Sequence, residues 1–277
     1  MVKLLCLLYL KISKTDGTLI KKSITCLSHL FGMALHSDPP LCGIIRAIVS
    51  AMRSIYSRSL TLAVRYGFIE SGAMTGGGIE SGSLADTSLE AFRAAVAFKD
   101  EIIRLLLPSF VQIIPGSSTT SPPPNVLTRL CINLNDAARS DIIKFIEGVI
   151  VQQSRRPPTS ATVFQPTEIT LDQIPEMPNS LLTSIVNASS PACSATTLPG
   201  ICLIRPRRLS DEAERLLLGL TKLPLKQGDN NAFSNVVTSS VFDTLIETLA
   251  TIAQQRPQFM IEAIQSFETI HGKVALS

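Results

Sequence analysis

Apolar residues recur every three or four positions along most of this chain. Ile20, Ile24, Leu27 and Phe31 form a first series, which ends before Asp38-Pro39-Pro40. A second series follows the two prolines and consists of Ile45, Ile48, Val49, Met52 and Ile55. This spacing places each series on one face of a helix, and the prolines break the chain between them. The pattern predicts a helical hairpin, and the period-two alternation typical of strands is almost absent from the whole sequence.

Further helices are indicated in the middle of the chain. Thr87 and Glu90 have the spacing of a capping box, which predicts that a helix starts there. Asn135 and Asp136 offer a turn and an N-terminal cap for a later helix. The buried face of that later helix is predicted to consist of Ile142, Ile143, Ile146, Val149 and Ile150.

The C-terminal third predicts three more helices. Asp211, Glu212 and Glu214 are expected at a helix N-terminus, where peptide dipoles favour negative charge. Pro257 is expected in the first turn of the last helix. The final pair has apolar faces made of Phe242, Leu245, Leu249 and Ile252 on one helix, and of Met260, Ile261, Ile264 and Phe267 on the other.

These elements define a domain organisation. Residues 1–66 form an N-terminal helical hairpin region, and residues 67–87, which include three consecutive glycines, form a flexible linker. Residues 88–277 form a helical-repeat region with a disordered insertion at about 154–200, where Pro, Ser and Thr are abundant. The predicted fold class is all-α, an irregular armadillo- or HEAT-like stack of helical hairpins with long disordered loops.

Charge and composition limit the classes of partner. The 277 residues include 25 Lys and Arg against 22 Asp and Glu, and the net charge of +3 argues against a protein that works by neutralising phosphates. No apolar run approaches the length of a membrane span. The six cysteines show no paired spacing, which favours reduced thiols in a cytoplasmic or nuclear protein. Protein partners are therefore expected, with no membrane and no nucleic acid.

No residues in the sequence form a recognisable centre for chemistry. Cys26, His29, His36 and Cys42 are potential zinc ligands, but they lack the paired two-residue gaps of zinc modules, and Cys26 falls on the apolar stripe of its helix. Core packing is therefore the favoured interpretation of this cysteine. The sequence predicts no catalytic residue, no bound cofactor and no metal site.

One residue fits a site of modification. Arg207, Arg208 and Ser210 match the pattern that many basophilic kinases accept, and Ser210 is placed to cap the following helix. A phosphate there would add negative charge at a helix N-terminus and strengthen the helix. A solvated basic surface is the alternative interpretation of these arginines.

Two blocks resemble a known family. The first runs from Val126-Leu127-Thr128-Arg129 to Asn133-Leu134, followed by Ala138-Arg139. The second runs from Val237-Thr238-Ser239-Ser240 through Gln255-Arg256-Pro257 to Met260-Ile261. In content and order they resemble the armadillo-like helical region that precedes the catalytic domain of giant HECT-type ubiquitin-protein ligases, of the plant UPL type and its animal relatives. The resemblance implies a helical scaffold without the thioester cysteine.

A third segment bears on the same interpretation. Residues 171–186 are similar to the helix, Leu-Pro, helix motif with which such ligases bind ubiquitin, with Met177-Pro178 in place of Leu-Pro. The residues that this similarity predicts to contact ubiquitin are Ile174, Met177, Pro178, Leu181 and Ile185. An amphipathic loop that packs on its own helical stack is the alternative.

The resemblance predicts a non-catalytic helical scaffold that binds protein partners or substrates in protein ubiquitination, and ubiquitin itself is one candidate partner. If the chain is part of a larger protein, that protein is expected to be a HECT-type ubiquitin-protein transferase. The alternative is a free-standing helical-repeat adaptor or structural protein with no link to ubiquitin.

Overall fold

The described part of the chain folds into a stack of seven α-helices. The computed structural model describes residues 17–67, 80–108, 110, 130–131, 133–155, 171, 206–223 and 238–275, and no strand occurs within these ranges. The helices are α1 (Gly17–His36), α2 (Cys42–Gly67), α3 (Glu80–Leu106), α4 (Asp136–Gln152), α5 (Pro206–Lys222), α6 (Ser239–Gln255) and α7 (Met260–Ala275). The all-α prediction of stacked helices is confirmed, whereas the predicted disordered insertion falls mostly outside the described residues.

The hairpin of α1 and α2 forms as the apolar spacing predicts. The helix α1 buries Ile20, Ile24, Leu27 and Phe31. The connection after α1 contains a cis peptide bond between Asp38 and Pro39. The amide of Leu41 donates to the Ala34 carbonyl at 2.9 Å, which fixes the start of α2 against the end of α1.

The helix α3 packs against both helices of this hairpin. The rings of Phe31 and Phe98 meet edge to face with centroids 5.4 Å apart, and those of Tyr56 and Phe92 lie 6.0 Å apart. Gly17 lies so close to α3 that a Cβ atom there would come within 2.7 Å of the Thr87 carbonyl oxygen. A side chain at position 17 would therefore push the two helices apart.

The start of α3 differs from the sequence prediction. The helix begins at Glu80 and not at the capping-box residue Thr87. The carboxylate of Glu90 forms an ion pair with Lys21 on α1, with 2.5 Å between Nζ and Oε2. The spacing of the capping box was therefore a coincidence inside a longer helix.

The helix α4 starts where the sequence predicts. The side chain of Asn135 accepts a hydrogen bond from the Ala138 amide at 2.9 Å, so the predicted cap is confirmed. The helix lies at the centre of the stack, because it packs against α2, α3, α5 and α6. Its apolar residues Ile142, Ile143, Ile146, Val149 and Ile150 are all buried, as expected.

The start of α5 is the second boundary that the sequence analysis misplaced. The helix begins at Pro206, whose fixed φ suits a first helical turn, and that turn contains no acidic residue. Asp211 and Glu214 are exposed on the body of the helix, and Glu212 is buried. The acids are therefore not placed to interact with the dipole at the helix N-terminus.

The final pair, α6 and α7, is joined by a short 3₁₀ turn at Pro257–Phe259, so Pro257 does open the last helical segment. Thr238 caps α6 through its hydroxyl, which accepts from the Val241 amide at 3.4 Å. The prediction for α7 is wrong about its face, because Met260, Ile261 and Ile264 are exposed by 43%, 67% and 49%. The helix buries Ala263, Ser266 and Ile270 instead.

One continuous apolar core joins the stack. It extends from Ile20 in α1 to Phe259 in the turn before α7 and includes residues from every helix up to α6. The predicted linker, residues 67–87, overlaps α3 from Glu80 onward, and the helices before and after residues 68–79 contribute to the core. None of the helices in the described ranges is long and apolar enough to span a bilayer.

Candidate docking surface

A buried polar cluster holds the middle of the stack together. Lys99 on α3 is fully buried and forms ion pairs with Glu212 on α5 and with the neighbouring Asp100, whose Oδ1 lies 3.1 Å from Nζ. Its ammonium group lies 5.6 Å from the centre of the Tyr56 ring on α2. Gln153, at the end of α4, donates through Nε2 to the Tyr56 hydroxyl at 2.6 Å and to Glu212 at 3.4 Å. The cluster therefore links α2, α3, α4 and α5.

The ionisation state of each group in this cluster depends on the neighbouring charges and on burial. Burial alone would lower the pKa of Lys99, but the carboxylates of Asp100 and Glu212 raise it above its usual value. Burial raises the pKa of Tyr56 to about 12. Lys99 stays charged and Tyr56 stays neutral, and the closed position of Lys99 leaves it no access to a substrate. We interpret the cluster as a structural joint.

The four potential zinc ligands do not assemble. Cys26, His29 and His36 are exposed along α1, and Cys42 is half-buried at the start of α2. The structure corrects the expectation that Cys26 belongs to the apolar stripe, because Ile24 and Leu27 occupy it instead. Within the described part of the chain, no group of three or more His, Cys, Asp or Glu residues could hold a metal ion.

Ser210 is half-buried inside α5 and does not cap it. The expectation of a capping role is wrong because the helix starts at Pro206, one turn earlier. The proposal that Ser210 is phosphorylated stays a prediction. Its physical consequence changes, since a phosphate in the second turn gains less from the unpaired amides of the first.

The segment predicted to bind ubiquitin lies outside the described residues, apart from Leu171, which is buried in the core. The residues concerned are Ile174, Met177, Pro178, Leu181 and Ile185. Their contact with ubiquitin stays a prediction.

A groove lies between α5 and the start of α7, and we call it the C-terminal groove. It holds about 310 Å³ and is lined by Glu214, Leu217, Leu218, Thr221, Gln258, Phe259 and Glu262. Leu217 and Phe259 are buried and form its floor, whereas Leu218 is 52% exposed. An aliphatic surface is thus open to solvent inside a concave site.

Among the described residues that line the groove there are two carboxylates and no basic side chain. Glu214 on α5 and Glu262 on α7 are both exposed. Arg215 follows Glu214 but is engaged elsewhere: its Nε donates to the Asp211 carbonyl at 3.3 Å, and its guanidinium lies 5.8 Å from the centre of the Phe110 ring. The groove therefore combines an apolar interior with negative charge.

The exposed residues Met260, Ile261 and Ile264 extend this apolar surface along α7, and we call them the α7 stripe. Sequence analysis assigned the stripe to the core because its spacing is helical. The signal it missed is a second series, Phe259, Ala263, Ser266 and Ile270, which is equally periodic but contains two small residues. Small side chains allow α7 to approach its neighbours closely, and the large ones are left outside.

Comparison with models of known protein families gives a match for most of the chain. A family model described as Symplekin/PTA1 N-terminal matches residues 42–275, which run from the first residue of α2 to the last residue of α7. This finding overturns the resemblance to HECT-type ubiquitin ligases and the link to ubiquitination inferred from it. Leucine-rich helices with caps are common to many helical stacks, so the two blocks that carried the resemblance did not separate one family from another.

Proposed function

The chain belongs to the Symplekin/PTA1 N-terminal family, and on this basis we propose that it is a scaffold domain of the machinery that processes the 3′ ends of mRNA. Its role is to bind protein partners of that machinery and hold them together. Of the two functions considered from the sequence, the helical adaptor without a link to ubiquitin is the one that the family supports.

The observation that carries the proposal is the extent of the family match, because it covers six of the seven helices that the structure describes. Two features of the structure support it. The helices share one continuous apolar core, which suits a platform for other proteins. The C-terminal groove and the α7 stripe expose aliphatic surface of the kind that protein interfaces use. We further propose that the protein works in the nucleus, where mRNA 3′ ends are formed.

The proposal is tested by isolating the tagged chain from the cells that express it. We expect it to co-purify with subunits of the cleavage and polyadenylation machinery. Depletion of the protein should lengthen transcripts past their normal 3′ ends, because a scaffold that holds the processing factors together would be missing. Sequencing of nascent RNA 3′ ends measures that read-through.

A rescue experiment supplies the control. Re-expression of the intact chain should restore normal 3′ ends, whereas a version with a disrupted joint, Lys99→Met, should restore them poorly at elevated temperature. Normal 3′ ends after depletion, together with no processing factor in the purified material, would contradict the proposal.

A further inference from the structure

Exposed apolar side chains are concentrated at the C-terminal end of the stack. The large hydrophobic residues exposed within the described ranges are Leu19, Met33, Leu41, Leu218, Met260, Ile261 and Ile264. Four of these belong to the C-terminal groove or to the α7 stripe. Single exposed hydrophobic residues are ordinary on a protein surface, but a group of them beside a groove is typical of an interaction site.

The described lining of the groove is acidic through Glu214 and Glu262, although the whole chain has a net charge of +3. Between Thr238 and His271 the acidic residues are Asp243, Glu247, Glu262 and Glu268, all exposed. The basic residues in that range are His271, at its end, and Arg256, which is buried and donates to Ser154 and to the Val151 carbonyl. Glu247 pairs with Lys144 on α4 at 3.3 Å. A partner that covers this end gains most if it is positively charged.

The geometry suits a helix. Ile261 and Ile264 are three residues apart and lie on adjacent positions of one helical face, and Glu268 continues the same face one turn later. The groove runs alongside, between α5 and α7, with Leu218 available to a side chain that enters it. An amphipathic helix that meets such a surface does so with apolar residues at helical spacing.

We propose that the C-terminal groove and the α7 stripe bind an amphipathic helix of a partner protein, one with aliphatic residues on one face and Lys or Arg beside them. The inference extends the proposed scaffold function by naming the chemistry of one partner. The aliphatic face packs against Leu218, Ile261 and Ile264, and the basic residues pair with Glu214 and Glu262. A second copy of this chain fits less well, because it would bring two sets of carboxylates together.

The test uses the full chain and two labelled helical peptides. Both peptides have Leu at positions i, i+3, i+4 and i+7, and they differ in having Lys or Glu beside the leucines. Fluorescence polarisation measures their binding. We expect the Lys peptide to bind at least about tenfold more tightly than the Glu peptide. A tenfold difference in Kd requires a difference of only about 1.4 kcal/mol in binding free energy.

Paired variants assign the binding to this surface. The double variant L218S/I261S should weaken binding of the Lys peptide about tenfold, because truncation of central apolar anchors in an interface costs more than about 1 kcal/mol. The double variant E214K/E262K should reverse the preference, so that the Glu peptide binds better. All four substituted residues are exposed, and unchanged circular dichroism and thermal unfolding would show that the variants remain folded.

Met33→Ser is the matched control, because Met33 on α1 is 54% exposed and belongs to neither the groove nor the stripe. It should leave peptide binding unchanged. The inference is wrong if neither peptide binds, or if the Lys peptide binds all variants equally. It is also wrong if sedimentation shows a wild-type dimer that L218S/I261S dissociates, since the occupant would then be a second copy.

These outcomes are independent of the test of the proposed function. If the peptide binds and mRNA 3′ ends stay normal after depletion, the docking surface is supported and the role in mRNA processing is contradicted. If depletion causes read-through but the peptide does not bind, the role in mRNA processing is supported and the docking surface is contradicted.

Discussion

Lys99 joins α3 to α5 through a buried ion pair. Its ammonium group is fully buried and compensated by Glu212 and Asp100, so removal of the ammonium leaves buried carboxylates without a counter-charge. We expect Lys99→Met to lower the free energy of unfolding by about 3–5 kcal/mol, the range for breaking one side of a buried ion pair. Urea denaturation followed by circular dichroism measures this change.

A surface ion pair provides the comparison for Lys99. Lys21 and Glu90 pair across α1 and α3 at 2.5 Å, with about half of each side chain exposed. Because solvent screens such a pair, Lys21→Met should cost no more than about 1 kcal/mol. Equal effects of the two substitutions would show that the buried cluster is not a structural joint.

The buried thiol of Cys131 should make the folded protein less stable at alkaline pH. Burial raises the pKa of its thiol from 9.0 to about 11. Between these values the unfolded chain loses the proton and the folded chain keeps it, so folding becomes less favourable as the pH rises from 9 to 11. Two pKa units correspond to a loss of roughly 2–3 kcal/mol from this group.

Replacement of Cys131 tests whether its thiol causes this dependence of stability on pH. In Cys131→Ala, the fall in the free energy of unfolding between pH 9 and pH 11 should be smaller than in the wild type, whatever the variant loses at neutral pH. Cys26→Ala, at an exposed thiol, controls for removal of a cysteine. An unchanged pH slope in Cys131→Ala would contradict the assignment. Chemical denaturation at several pH values gives the slopes.

Among the elements, α4 depends on a cap that the sequence identified. The Asn135 side chain accepts from the Ala138 amide, and α4 packs against four other helices. We expect Asn135→Ala to lower the free energy of unfolding by about 1 kcal/mol. Asn135→Asp keeps an acceptor at the same position and should retain most of the stability. If urea denaturation shows the same loss for both variants, the hydrogen bond is not the cause.

The elements also show how far sequence reasoning reaches. Periodicity identified the helices and the buried faces of α1, α2 and α4, because in each of them the large apolar residues share one stripe. It failed for α7, where Ala263 and Ser266 face the core and Ile261 faces water, since close helix packing selects small residues there. Periodicity records where apolar residues lie, and it does not record which neighbour each face has.

The predictions of two helix boundaries were wrong for a related physical reason. A hydroxyl residue followed by Glu three positions later predicts a start, but Thr87 lies within α3, which begins at Glu80. The acids after Ser210 were also assigned to a helix start, although α5 begins at Pro206 and Glu212 pairs with Lys99 from 113 positions away in the sequence. A partner so distant cannot be inferred from local spacing. The docking surface was missed for the same reason, because it combines α5 with α7.

On the scale of the whole molecule, the open question is whether residues 67–87 divide the chain into separate units, as the sequence predicts. The apolar core includes residues before and after this segment, and α3, which begins within it at Glu80, packs against α1 and α2. The two parts therefore cover each other's apolar faces. Separation would expose residues such as Ile24, Phe31 and Phe92, each at most 2% exposed in the intact protein.

Cleavage of the chain between Gly67 and Glu80 tests this directly. A protease site inserted there cuts between α2 and α3, and we expect the two pieces to remain together and elute as one species of unchanged size, because burial of apolar surface holds them. An uncut sample of the same variant is the control. Phe31→Ala should make the cut pieces separate more readily, since Phe31 packs edge to face on Phe98 across the division. If the two pieces separate and each keeps its helical content, they are independent domains. The helices of each piece would then be stabilised by packing within that piece alone.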